Sequence, residues 1–309
     1  MNIKELSKKL EKQKFVPGHR SCSGCGFPQI VRTVLASTDK PIVAACATGC
    51  LEVTSTIYPF SSWNIPYIHS AFENAAATIS GVETAFKVLK KKGKIKDDIK
   101  FVSFGGDGGT YDIGLQSLSG AFERGHNFVY VLYDNEAYMN TGIQRSSATP
   151  YGASTTTAPA GKLHPGKEEF RKDITKIAVA HNIPYVAQAS MHNLMDLSMK
   201  AGKAFKIDGP AFINVLQPCT LGWGYPSSQT IKIAKLAVDC RFWPLYEVED
   251  GVYKLNYNPS KPLPAEEYLK TQARFKHLFK PANKYIIEKI QKNVDSEWEK
   301  LLKLCNETK

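Results

Sequence analysis

Long apolar runs are missing: none of the 309 residues' stretches approaches the roughly 20 residues that span a bilayer. The N-terminus, Met1 to Lys14, is charged and has no apolar signal-peptide core. Membrane insertion and secretion are therefore not expected, and a cytoplasmic protein is. There is no internal repeat and no low-complexity tract, so the length allows one large domain or two modest ones. No recognised nucleic-acid motif accompanies the positive charge, so nucleic acid is not expected as a partner. The cysteines number seven, an odd count that argues against a disulfide framework in a cytosolic chain. Cys22-Ser-Gly-Cys25 lacks a second C-x-x-C, so a zinc ribbon is not built.

What is present is an ordinary globular balance, 43% hydrophobic and 22% charged. The net charge of +11 is unevenly spread. Residues 1–20 hold six Lys/Arg against two Glu, and residues 87–100 hold seven Lys against two Asp. These clusters read either as surfaces that steer an acidic partner or as solvated helix ends.

Short β-type runs alternate with helical patterns, which predicts an α/β fold with a parallel sheet and helices on both faces. Strands are expected over Pro41–Cys46, Ile99–Phe104, Phe128–Tyr133, Pro184–Ala189 and Ala211–Leu216. Helices are expected over Pro28–Ser37, Phe72–Lys92, Ile113–Arg124, Glu168–His181 and His192–Phe205. The stretch from Gly142 to Lys162 is a long loop rich in small and hydroxyl residues. Beyond Trp243 the pattern changes to a hairpin turning at Asp250-Gly251, a Pro-rich link and two charged helices. We divide the chain into a domain over 1–242 and a C-terminal hairpin and helical extension over 243–309.

Asp107 and Asn135 both fall just past expected strand ends, where parallel sheets bind ligands. Gly106 and Gly108 flank Asp107 and let a phosphate approach the backbone, and the following helix offers free N–H groups. A carboxylate and an amide oxygen suit Mg²⁺. Gly106-Asp107-Gly108 with Asn135 28 residues after the Asp resembles the motif of thiamine-diphosphate enzymes. That resemblance implies Asp107 and Asn135 as metal ligands, with the Ala137 carbonyl completing the set.

Cys50 and Cys219 each follow a strand on the same expected edge, so with Cys22 and Cys25 four thiolates would suit a [4Fe–4S] cluster. The competing reading makes Cys50 and Cys219 small buried hydrophobes, as for Cys46, Cys240 and Cys305. Spacing alone does not choose between Cys46 and Cys50 as third ligand.

The segments "GHRSCSGCG", "ATGC", "HSAFENAAA", "GGDGGTYDIG", "YDNEAYMNTGIQRSSATPYGASTTTAPAGK" and "QPCT" together resemble the β subunits of pyruvate:ferredoxin oxidoreductase and its relatives, over about Pro17 to Gly224. The resemblance implies the diphosphate-binding half of a thiamine-diphosphate fold in 1–242. It implies one [4Fe–4S] cluster on Cys22, Cys25, Cys50 and Cys219, which settles the third ligand as Cys50. Gly49, Gly106, Asp107, Gly108, Gly109, Asn135, Ala137, Tyr138 and Asn140 would bind thiamine diphosphate and Mg²⁺. Asn140, with Thr141 beside it, would face the reacting centre. The implied reaction is oxidative decarboxylation of pyruvate to acetyl-CoA and CO₂, with electrons passing through the cluster to ferredoxin.

The implied partners are an α-type subunit carrying the pyrimidine half with the activating Glu, a ferredoxin-like subunit, ferredoxin and coenzyme A. Glu73 is the best internal candidate for that Glu and Glu52 is similar, but a first-turn Glu favoured by the helix dipole is the more ordinary reading of each. His69 reads as a capping or packing residue, and Arg145 as the partner of a substrate carboxylate or of a loop carbonyl. Other 2-oxoacids (2-oxoisovalerate, oxalate, 2-oxoglutarate) are alternative substrates. A non-redox thiamine-diphosphate decarboxylase half and a zinc-bearing scaffold are the alternatives outside the family.

Overall fold

The computed structural model describes residues 3–308. Among them eight strands form one sheet: β1 (Ile42–Ala47), β2 (Tyr67–Ser70), β3 (Lys100–Gly106), β4 (Val129–Asp134), β5 (Tyr185–Ser190), β6 (Ala211–Leu216), β7 (Tyr246–Glu249) and β8 (Val252–Leu255). Their spatial order is β2-β1-β3-β4-β6-β5-β7-β8. The first six are parallel, and β7 joins β5 antiparallel. Every residue of β4, β5 and β6 is buried, as expected when helices cover both faces.

Alternation along the strands divides the core in two. Ala44, Val102, Phe104, Val129 and Val131 point to one face, under the helices Phe27–Ala36 and Leu194–Ala204. Ala45, Phe101, Tyr130 and Leu132 point to the other, under the helices Ala75–Lys91, Leu115–Glu123 and Ile174–Ala180. A third apolar cluster joins Trp223 and Leu216 to Trp243, Tyr268, Phe275 and Ile286 of the C-terminal segment.

The hairpin turns at Asp250-Gly251, both at positive φ, as the sequence predicts. It extends the main sheet rather than standing apart. The two final helices expected are present, a short one, Ala265–Leu269, and a long one, Lys284–Glu307, with 3₁₀ turns between them. The helix expected from Glu168 begins only at Ile174, capped by the Asp173 side chain, which accepts from Lys176 N. The preceding residues stay irregular because Arg171 and Lys172 turn inward, Arg171 to Asp134 and Lys172 to the Tyr111 carbonyl. No helix of the described residues is long and apolar enough to cross a membrane.

Candidate functional site

β1, β3, β4 and β6 are consecutive neighbours, and their carboxyl ends lead into Cys50, Asp107, Asn135 and Cys219. Strands about 4.8 Å apart place these four positions within about 15 Å along one edge. The expected edge is therefore built, with the two polar positions between the two cysteines.

Asp107 is 1% exposed. Ser146 Oγ donates to its Oδ2 at 2.5 Å. The Asn135 side-chain amide faces Asp107 Oδ1 at 2.8 Å and the Ala137 carbonyl oxygen at 2.9 Å. Turned NH₂-first, the amide donates to both. Turned oxygen-first, its oxygen lies from each of the other two at about the length of an octahedron edge around Mg²⁺, about 2.9 Å for bonds of about 2.1 Å. Burial pushes the Asp107 carboxyl well above its ordinary range, the nearby Asp134 adds to this, and the Ser146 bond opposes it. No cationic side chain of the described residues pairs with Asp107. The site thus lacks a positive charge, and its donor set fits Mg²⁺.

Gly108 opens a π turn over Gly108–Asp112, and Gly106, Gly108 and Gly109 lie along the backbone around Asp107. The Tyr138 ring lies so close over Gly108 that a β-carbon there would overlap it. A side chain at Gly49 would meet the Tyr133 hydroxyl at 2.9 Å, and that hydroxyl is buried without a partner. The glycines at the strand ends therefore let Tyr138 and Tyr133 pack against the backbone around Asp107, and the Tyr133 hydroxyl is left without a partner there. Asn140 and Thr141 are exposed in a turn closed by Tyr138 and Gln144, and Thr141 Oγ1 donates to Gln144 Oε1 at 2.6 Å.

The neighbours of Asn135 escaped sequence reading. Arg171 donates to Asp134 Oδ2 at 2.6 Å and Glu136 Oε1 at 3.0 Å, and Arg274 donates to Glu136 Oε2. Tyr111 OH also donates to Asp134 Oδ2, at 2.6 Å. Two arginines thus neutralise two carboxylates that are 0% exposed on either side of Asn135. Glu136 itself has φ of +67°, a costly conformation for this residue type that the paired arginines hold. Arg171 and Arg274 stand far from the Gly-Asp-Gly segment in sequence, so only "YDNE" itself signalled them.

Of the other candidates, Glu52 and Arg145 already have partners. Glu52 accepts from Thr56 Oγ1 at 2.7 Å and lies 3.6 Å from His69. Glu73 is exposed. Arg145 pairs with Glu169 at the surface. The Lys-rich segments lie at the amino end of the sheet: Lys9 and Lys12 pair with Asp39, and Lys40 with Asp98, just before β1 and β3. That is the edge opposite the cysteines.

Cys22, Cys25, Cys50 and Cys219 lie within electrostatic reach of one another. Burial pushes the Cys25 and Cys50 thiols up to about 12, and the neighbouring thiols push the same way. Helix starts oppose this: Cys50 opens the helix Cys50–Ser55, Cys219 Sγ accepts from Gly222 N at 3.4 Å, and Cys25 precedes Phe27–Ala36. Gly24, at φ of +75°, tightens the loop, and its carbonyl accepts from Thr230 Oγ1. Cys46 is instead buried in the core with Sγ directed at the Ala47 carbonyl, and Cys240 and Cys305 belong to separate core clusters. No group of three or more His, Cys, Asp or Glu among the described residues could hold a single metal ion. A four-iron cluster spreads its thiolates more widely than one ion does, and four cysteines near one another on one edge are the donor set it takes.

Residues 47–215 match the family described as thiamine pyrophosphate enzyme, C-terminal TPP binding domain. The chain is 52% identical to pyruvate synthase subunit PorB of Thermotoga maritima, over all of this chain and 98% of that one. It is 54% identical to the subunit of the same name from Methanocaldococcus jannaschii, over 92% of this chain and 94% of that one. It is 48% identical to ketoisovalerate oxidoreductase subunit VorB of Pyrococcus abyssi, over 95% and 94%. A solved 2-oxoglutarate:ferredoxin oxidoreductase from Magnetococcus marinus shares the fold at a TM-score of 0.58 and 23% identity, over 68% of this chain and 67% of that one.

Proposed function

This chain belongs to the thiamine pyrophosphate enzymes, as a β subunit of the 2-oxoacid:ferredoxin oxidoreductase family; from that premise we propose that it carries the diphosphate half of the active site and one [4Fe–4S] cluster of a cytoplasmic pyruvate oxidoreductase. The observation that carries the reading is the convergence of Asp107 Oδ1, the Asn135 amide and the Ala137 carbonyl on the edge that bears the cysteines. Asp107, Asn135 and Ala137 would hold Mg²⁺ against the diphosphate. Gly49, Gly106, Gly108 and Gly109 give the backbone room, and Tyr138 walls the pocket. Cys22, Cys25, Cys50 and Cys219 would hold the cluster. When bound, thiamine diphosphate would supply the carbanion chemistry for loss of the 2-oxoacid's carboxyl group, and a cluster on Cys22, Cys25, Cys50 and Cys219 would supply a nearby one-electron redox centre. Asn140 is exposed where a substrate oxygen developing negative charge can accept its N–H. Thr141 fixes the turn beside it.

Pyruvate as substrate is supported by the names of the pyruvate synthase relatives; coenzyme A as acyl acceptor and ferredoxin as electron acceptor are in keeping with the 2-oxoglutarate:ferredoxin oxidoreductase that shares the fold and was solved with coenzyme A bound. The ketoisovalerate relative at 48% identity favours 2-oxoisovalerate as the second reading. The absence of a disulfide among the described cysteines suits a reducing compartment. The activating carboxylate is assigned to an α-type subunit, because the described residues form a single sheet unit, Glu52 is already paired and Glu73 is exposed just before the helix Ala75–Lys91. Ile113 and Leu221, each close behind a site residue, are exposed apolar groups that such a subunit would cover. A ferredoxin-like subunit would carry electrons onward. The Lys-rich edge faces away from the cysteines, which speaks against delivery of an acidic carrier to them through those lysines.

Reconstitution tests the reading. The chain alone should show no pyruvate-dependent dye reduction, and adding the other subunits should restore it. A panel of 2-oxoacids then assigns the substrate: faster turnover of 2-oxoisovalerate than pyruvate would overturn the pyruvate assignment. Full turnover by the isolated chain would overturn the split site.

A further inference from the structure

Gln217 follows β6 directly, as Asn135 follows β4. The two strands are parallel neighbours with Asp134 opposite Leu216, so Asn135 and Gln217 stand side by side at the carboxyl edge. Gln217 N donates to the Asp134 carbonyl at 2.8 Å and carries the register one residue further. The side chain is buried, 1% exposed, and runs beside the Cys22–Cys25 loop: a β-carbon at Gly26 would come within 3.2 Å of Gln217 Cγ.

Both ends of this side chain have partners. Gln217 Nε2 donates to the Pro218 carbonyl at 2.8 Å and to Cys25 Sγ at 3.6 Å. Those two acceptors turn its Oε1 towards Asn135, whose Nδ2 donates to it at 3.4 Å. That bond is long, and what it decides is orientation. With Nδ2 towards Gln217, the Asn135 oxygen faces Asp107 Oδ1 and the Ala137 carbonyl, an arrangement that a cation makes favourable. Reversed, the Asn135 amide would donate to both oxygens but set its own oxygen against Gln217 Oε1, two acceptors face to face. Gln217 cannot turn to relieve this without setting its oxygen against the Pro218 carbonyl and the Cys25 sulfur.

We propose that Gln217 is a positioning residue that holds Asn135 oxygen-first for Mg²⁺ and ties that orientation to Cys25. Its role rests on Asp107 and Asn135 holding Mg²⁺ and on the four cysteines holding the cluster, as proposed above. Negative charge on a cluster-bound Cys25 sulfur strengthens the contact from Nε2, which fixes the Gln217 amide and, through it, the Asn135 amide. The influence runs equally in the other direction.

Two titrations of the full-length chain, purified with its cluster in the absence of oxygen, test this: Mg²⁺ against thiamine diphosphate binding, and the potential of the cluster. Gln217→Met, similar in size but without either polar end, should raise the Mg²⁺ midpoint about fivefold, the size of one hydrogen bond. It should also lower the cluster's reduction potential, because a donor to sulfur favours the more negative, reduced state. In an Asn135→Ala background the same substitution should leave the Mg²⁺ midpoint where Asn135→Ala alone puts it, since the group that Gln217 orients is gone. An unmoved midpoint or potential in the single variant, or equal losses in both backgrounds, overturns the proposal. In the unaltered chain, reducing the cluster with dithionite should lower the Mg²⁺ midpoint about fivefold, the low end of coupling between two sites. Equal midpoints in the two redox states overturn the proposal even where the variant fails to fold. A parent chain without iron, or one that binds thiamine diphosphate regardless of Mg²⁺, overturns the cofactor assignments and the role of Gln217 with them. A parent that shows both, beside an unchanged Gln217→Met, overturns the role of Gln217 alone.

Discussion

Ser146 Oγ donates to Asp107 Oδ2 at 2.5 Å, so one carboxylate oxygen is fixed while the other faces Asn135 and Ala137. Ser146 comes from the long loop after Gly142, and Lys167 steadies that loop by donating to the Thr149 carbonyl at 2.6 Å. Ser146→Ala removes a bond that opposes the upward push of burial on the Asp107 carboxyl and leaves that carboxyl rotationally freer. We predict a Mg²⁺ requirement for thiamine diphosphate binding raised about tenfold or more, the size of a hydrogen bond to a charged group. Mg²⁺ titration of cofactor binding reads this directly, and an unchanged midpoint would show that Asp107 needs no such support.

Asp107→Ala removes the anion of the proposed site, whereas Asn135→Ala removes a neutral ligand that water can replace. The first should abolish Mg²⁺-dependent thiamine diphosphate binding and the second only weaken it. Tight cofactor binding by the Asp107 variant in equilibrium dialysis would sink the site.

Arg274 belongs to the C-terminal segment yet neutralises Glu136 beside Asn135. Arg274→Met leaves a buried carboxylate with Arg171 as its remaining arginine. Breaking such a pair costs about 3–5 kcal/mol. Urea unfolding should show a loss of that order, and an unchanged midpoint would mean that Arg171 alone suffices.

Glu247 of β7 accepts from Tyr185 OH at 2.7 Å, Lys203 Nζ at 2.9 Å and Asn256 Nδ2 at 3.2 Å. Burial pushes its carboxyl up, but these donors outweigh burial and hold it at about 2 against an ordinary 4.5. A carboxyl lowered in the folded state contributes stability that is whole above its unfolded value. That contribution is lost as pH falls from about 4.5 towards 2. Glu247→Gln should cost about 1–3 kcal/mol at pH 7, and its stability should fall less steeply below pH 4.5 than the parent's. Parallel acid-unfolding curves would contradict the assignment.

The parallel core was legible because its strands are short apolar runs between helical patterns, and β4, β5 and β6 match them within a residue or two. β2 was not, since Tyr67-Ile-His-Ser70 is half polar and lies at the sheet's edge. The late start of the helix at Ile174 was also hidden: propensity continues through Glu168 to Asp173, but the pull of Asp134 and Glu136 on Arg171 overrides it. In the site, the motif residues were visible because glycine and hard oxygen ligands cluster locally. Ser146, Arg171 and Arg274 reach the same loop by tertiary contact and leave no local pattern. The choice of Cys50 over Cys46 came from resemblance; the structure supplies a physical ground, since Cys46 points into the core.

The most direct measurement is iron and sulfide analysis of the chain purified without oxygen, beside its seven cysteine-to-alanine variants. Cys22→Ala, Cys25→Ala, Cys50→Ala and Cys219→Ala should each lose or weaken a reducible cluster, while Cys46→Ala, Cys240→Ala and Cys305→Ala retain it. Iron lost from Cys46→Ala but kept in Cys50→Ala, or zinc in place of iron in the parent chain, would contradict the account.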